Sequence, residues 1–157
     1  LHWITGQLNL QGTETLLDAY CGIGTMTLPI AKLVKQVIGI EIQAEAIAQA
    51  QLNAERNQID NAEFQVGAVE ALLPQLSIQP DIVLLDPPRK GCESRVIDHL
   101  RHLRPQRIAY MSCNPATLAR DLKQLCEGGL YRLEGVQPAD FFPQTSHVEA
   151  AAILQRT

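Results

Sequence analysis

The sequence predicts an α/β fold: a doubly wound, mostly parallel sheet with an antiparallel edge strand. Three observations predict it. Short apolar runs alternate with segments of helical composition, the pattern of repeated βα units. The run Asp81-Ile82-Val83-Leu84-Leu85-Asp86 is almost uninterrupted in apolar character, as suits a strand covered on both faces. The last two strand-like runs lie close together in the chain, which suits hairpin-like antiparallel pairing at one edge.

The elements follow in order. The first dozen residues read as the tail of a helix entering from an upstream region. Thr15 to Tyr20 forms a first strand and Gly24 to Lys35 a helix. Gln36 to Glu41 is a second strand, and Ala44 to Asn57 has the Ala, Gln, Glu and Leu content of a strong helix. Ala62 to Val66 is a third strand, followed by a short helix over Val69 to Leu76. After the apolar fourth strand, Arg95 to Leu103 is helical and Arg107 to Ser112 is a fifth strand. Pro115 to Glu127 is a further helix, stopped by Gly128-Gly129. Tyr131 to Pro138 and His147 to Gln155 are the final strands.

At 157 residues the chain suits a single domain, 1–157, with a real core. Hydrophobic residues make up 46% and aromatics 4%, so aliphatic side chains must fill that core. No apolar run reaches membrane-spanning length. The four cysteines form no CxxC pair and no zinc spacing, so free thiols in a reducing cytoplasm and no metal in this chain are expected. The net charge of −4 argues against a freestanding nucleic-acid binder. The charge is unevenly spread, however. Residues 1–88 carry −7, residues 89–123 carry +5 and residues 124–157 carry −2. A monomer is expected.

Ligands of doubly wound sheets sit at the carboxyl ends of the strands. There, Asp18-Ala19-Tyr20-Cys21-Gly22-Ile23-Gly24-Thr25 closes the first strand and opens a helix. Glycines let this backbone turn sharply and approach a ligand closely. The third glycine of the dinucleotide fingerprint is absent. Glu41 ends the second strand, where a carboxylate can accept both ribose hydroxyls of an adenosine. The combination resembles class I S-adenosylmethionine methyltransferases. A nicotinamide-type fold or a purely structural turn is the alternative at this point.

Asp86-Pro87-Pro88-Arg89 follows the fourth strand. Its prolines stiffen the loop and leave the Asp86 carboxylate facing the crevice. Arg89 suits an anionic base or phosphate, or else is a solvated surface arginine. The loop also resembles that of amino-group methyltransferases, apart from Arg89. Ser112-Cys113-Asn114-Pro115 follows the fifth strand. Asn114 is a good N-cap and Pro115 a good first helical residue, so Cys113 precedes a helix start that favours a thiolate. Cys21 belongs to the glycine loop, and packing is the expected role of Cys92 and Cys126. Glu149 opens the last strand between apolar neighbours, which suits a proton-transfer base or a structural ion pair. His147 reads as structural.

DAYCGIGTMTLP, LLDPPRKG, SCNPATLARD and FFPQTSHVE occur in this order from about Leu16 to Leu154. Together they resemble the RNA uracil-5-methyltransferase family, which forms 5-methyluridine in transfer and ribosomal RNA. The resemblance implies that Cys113 attacks carbon 6 of uracil and that Glu149 removes the carbon 5 proton. It places Tyr20, Gly22, Thr25, Glu41 and Asp86 at the S-adenosylmethionine cofactor and Arg89 at the RNA. Ribosomal RNA is expected ahead of tRNA. It also implies an upstream RNA-binding region, in some members with an iron–sulfur cluster. The chain departs from the family after the third strand, where Gly67-Ala68 stands in place of a cofactor-side Asp or Asn. The rival expectations are an amino-group methyltransferase and a binding module with no activity of its own.

Overall fold

The computed structural model describes residues 1–140, 144 and 148–157; His147 and most of Phe142–Ser146 lie outside them. The elements are α1 (His2–Leu8), β1 (Thr15–Asp18), α2 (Thr27–Ala31), β2 (Gln36–Glu41), α3 (Ala44–Arg56), β3 (Ala62–Val66) and α4 (Val69–Leu72). They continue with β4 (Ile82–Leu85), α5 (Ser94–Leu103), β5 (Arg107–Ser112), α6 (Pro115–Cys126), β6 (Tyr131–Ala139) and β7 (Glu149–Arg156). The seven strands form one sheet in the order β3-β2-β1-β4-β5-β7-β6. The first five are parallel. β7 runs antiparallel between β5 and the edge strand β6.

Strand alternation divides the core between two faces. Leu17, Ile38, Val83, Leu85, Ile108 and Tyr110 pack with Ile97 and Leu100 of α5 and Leu118, Leu122 and Leu125 of α6. Leu16, Val37, Ile82, Leu84 and Ala109 pack on the other face with Ile4 and Leu8 of α1, Ile30 of α2 and Ala54 of α3. All four β4 side chains are buried, which explains the unbroken apolar run in the sequence. Among the described residues no helix is long and apolar enough to cross a membrane.

The helix expected over Gly24 to Lys35 shrinks to Thr27–Ala31. Gly22 and Gly24 have φ of 53° and 85°, so the chain is still in left-handed turns where the helix was expected to start. At the other end, the Asn61 side chain donates to the Ala31 and Val34 carbonyls at 2.7 and 3.1 Å. The Lys35 N–H turns to Glu14, feeding the chain into β2. The short helix over Val69 to Leu76 resolves into α4 and a 3-10 turn at Leu73–Gln75.

Candidate active site

The strand order reverses direction at β1, whose neighbours are β2 and β4. A crevice of about 350 Å³ opens at the carboxyl ends of β1 to β4. Tyr20 comes from β1, Glu41 and Ile42 from β2, Gly67 to Glu70 from β3, and Asp86, Pro88, Lys90, Gly91 and Glu93 from the loop after β4. Of the expected cofactor residues, Tyr20, Glu41 and Asp86 therefore meet here. Gly22 stands behind Glu41: its N–H donates to Glu41 Oε2 at 3.2 Å. The Gln43 N–H donates to Glu41 Oε1 at 3.0 Å. Two backbone donors thus fix this carboxylate with lone pairs to spare. Thr25 is exposed and lines a separate hollow with Lys32, Asn53 and Asn57, because the left-handed glycine turn carries it away from the crevice. Cys21 is buried within the loop, its sulfur packed where a Cβ on Gly39 would stand, and burial raises its thiol to about 12.

Asp18, at the end of β1, lies buried behind the crevice and senses Asp86 and Glu41, a role sequence reasoning did not assign it. It is buried, and Thr27 Oγ1 donates to it at 2.6 Å. Burial raises its carboxyl from the ordinary 3.8 to about 6, opposed by the Thr27 and Tyr20 hydrogen bonds and assisted by Asp86 and Glu41. The folded protein therefore holds this proton more tightly than the unfolded chain. The stabilising contribution is complete below pH 4 and is lost as pH rises through about 6. The stability of the wild type relative to Asp18→Asn is expected to fall by about 2 kcal/mol between pH 4 and pH 7. Denaturant melts of both proteins across that range check it.

Asp86 is reached by water, yet partial desolvation by the crevice walls, and then the Glu149 carboxylate, raise its pKa. Asp86 and Glu149 are thus electrostatic neighbours. The β5–β7 register pairs Met111 with Ala151 and Ser112 with Ala150. The ladder ends there, and Cys113 and Glu149 are the next residues beyond its last rung. Asp86, Cys113 and Glu149 therefore stand at the ends of neighbouring strands on one rim of the sheet. Glu149 shares the face of Ala151 and Ile153, as alternation requires.

The Asn114 cap forms as expected: its Oδ1 accepts from the Ala116 N–H at 3.1 Å, with Pro115 opening α6. Cys113 immediately precedes this start and is half-buried. Asn114 Nδ2 also donates to the Arg89 carbonyl at 3.3 Å, which ties the loop after β5 to the loop after β4. The Arg89 side chain is exposed. Several cations in residues 89–123 are engaged within the chain. Arg101, Arg107 and Arg120 donate to carbonyls of Gln124, Gln7 and Lys90, and Lys90 pairs with Glu93 at 2.9 Å. The basic stretch is thus partly structural.

Gly91 has φ of 77°, and a Cβ there would lie 2.6 Å from both Arg120 Nη2 and Asp121 Oδ2. Gly91→Ala is expected to cost roughly 2–3 kcal/mol, combining left-handed strain with displacement of an ion pair. A thermal melt that leaves the variant as stable as wild type would contradict this packing.

The crevice chemistry selects among ligands. It presents four carboxylates, Glu41, Glu70, Asp86 and Glu93, against one lysine already paired with Glu93. That field repels a pyrophosphate and suits a ligand of net positive charge. S-adenosylmethionine carries a sulfonium and an ammonium against one carboxylate, so the residues present fit it.

Known proteins point the same way. The sequence profile described as a methyltransferase domain matches residues 10–146. A protein of Nostoc sp. named as an uncharacterized RNA methyltransferase is 64% identical over 98% of this chain and 34% of its own length. One of the same description from Synechocystis sp. is 57% identical over 94% and 32%. The chain thus spans about a third of the length of the curated relatives it matches. Among solved structures, the tRNA (uracil-54, C5)-methyltransferase of Pyrococcus abyssi, in complex with S-adenosyl-L-homocysteine, superposes with a TM-score of 0.80. It is 36% identical, over 96% of this chain and 36% of that one.

Proposed function

The chain belongs to the methyltransferase domain family, and from that premise we propose that it methylates carbon 5 of a uridine in RNA through a covalent cysteine adduct. The observation that supports this reading is the β5–β7 pairing, whose final rung of Ser112 with Ala150 leaves Cys113 and Glu149 as the next residues on the rim beside an electronegative crevice. The names of the relatives support RNA as the substrate. The P. abyssi enzyme supports uracil as the base and S-adenosylmethionine as the methyl donor.

Tyr20, Glu41 and Asp86 would hold S-adenosylmethionine, with Gly22 fixing Glu41 from behind. When bound, that group supplies an electrophilic methyl. The remaining chemistry belongs to this chain. Carbon 5 of uracil is a weak nucleophile while the ring is conjugated. Addition of the Cys113 thiolate to carbon 6 breaks the conjugation and places the electron pair at carbon 5, which takes the methyl. Glu149 then accepts the carbon 5 proton. The enolate so formed expels the thiolate and restores the double bond. The base must leave its stack for these groups to reach it. Arg89, on the rim beside Asn114, would meet the RNA backbone or the base.

Full-length protein incubated with S-adenosylmethionine and RNA carrying tritium at uridine carbon 5 is expected to release one proton's worth of tritium for each methyl transferred. Ribosomal RNA is the first substrate and tRNA the second. Methyl transfer to an exocyclic amine, with tritium retained, would replace this reading with an amino-group methyltransferase. Tight cofactor binding with no transfer to either RNA would leave a binding module.

A further inference from the structure

We propose that Asp121, together with Arg120, is a positioning residue that clamps the loop after β4 and so sets the shape of the cofactor crevice; the inference rests on the cofactor reading above. Asp121 is fully buried on α6. Its Oδ2 accepts from the Cys92 N–H at 2.9 Å and from the Tyr110 hydroxyl. Its Oδ1 accepts from Arg120 Nε at 2.8 Å. Arg120 Nη2 reaches the carbonyls of Lys90 and Cys92 at 3.0 and 3.2 Å. Beyond them, the Tyr20 hydroxyl lies 3.9 Å from Cys92 Sγ. One carboxylate thereby joins the ends of β1, β4 and β5 to the helix that begins just after Cys113.

The loop held in this way supplies Lys90, Gly91 and Glu93 to the crevice wall. Its backbone presses directly on the pair at Gly91, where no side chain fits. The pair is open to solvent through Arg120, and screening makes such a pair a weak source of stability. Its directional bonds fix one loop conformation instead. The clamp lies on the face of α6 turned toward the crevice loop, so it acts on the cofactor's walls.

The test uses full-length protein with two variants and a conservative control. Arg120→Gln alters an exposed side chain and removes the carbonyl bonds. Asp121→Asn keeps an acceptor for Cys92 and Tyr110 but turns a donor toward Arg120. Both are expected to weaken S-adenosylmethionine binding by at least about ten-fold in calorimetry, the scale of lost charge-assisted hydrogen bonds. The rate at saturating cofactor should change by less than about two-fold. Arg120→Lys, which keeps the charge but not the fork, should recover only part of the affinity. Equal affinity in wild type and both variants, or a lowered melting temperature with unaltered affinity, would overturn the clamp alone. Wild-type protein that binds no S-adenosylmethionine would overturn the cofactor reading and the clamp together.

Discussion

Replacing Cys113 with alanine in the full-length protein is expected to slow methyl transfer to RNA at least about a thousandfold, a loss of roughly 4 kcal/mol of transition-state stabilisation. The size follows from the chemistry. Without a nucleophile at carbon 6, the uracil ring stays conjugated and carbon 5 remains a weak nucleophile. The side chain is half-buried at a loop, outside both hydrophobic cores, so its truncation leaves the sheet intact. S-adenosylmethionine affinity should hold, because Cys113 does not line the crevice. Rate measurements and calorimetry on the same preparation check both halves. A variant that transfers methyl at the wild-type rate would remove covalent catalysis from the account.

Replacing Glu149 with glutamine has a different signature. Addition and methyl transfer precede proton removal, so the block falls after the new carbon–carbon bond has formed. Turnover is expected to fall by about 10²–10⁴-fold, the usual contribution of a positioned base. Protein joined to methylated RNA should accumulate, visible as a slow band in denaturing gels. The two substitutions thus separate the steps: Cys113→Ala makes no adduct, and Glu149→Gln makes one that persists. A Glu149→Gln protein that turns over freely, with no adduct, would assign the proton to another base. Asp86 is then the nearest candidate, as the carboxylate that senses Glu149.

Much of the fold was legible because burial writes itself into local pattern. The β4 run is apolar throughout because both its faces are covered. The α6 start is visible because Asn-Pro chemistry at a helix N-terminus is local. What escaped was non-local or conformational. The shortness of α2 depends on two glycines in left-handed turns, and composition alone does not reveal backbone sign. The insertion of β7 between β5 and β6 is a choice of pairing partners that no single segment encodes.

The site divides in the same way. Tyr20, Glu41, Asp86 and Cys113 stood out as candidates because each lies at or just beyond the carboxyl end of a strand. Asp121 carried a subtler signal. In α6 the buried positions are Leu118, Asp121, Leu122 and Leu125, at spacings of three, four and seven from the first. An aspartate on such an apolar stripe must be paired, and here it is. Asp18 was quoted as part of a motif, yet its buried bond to Thr27 joins residues nine apart across the glycine turn.

The central claim is that Cys113 bonds to carbon 6 of uracil, and RNA bearing 5-fluorouridine tests it most directly. Fluorine at carbon 5 cannot leave as a cation, so a base has nothing to remove after methyl transfer. Full-length protein, S-adenosylmethionine and fluorinated RNA are expected to yield a stable adduct. Peptide mass spectrometry should find the methylated fluorouracil on Cys113. Fluorinated RNA that is bound but forms no covalent product, or a product on any other residue, would contradict the account.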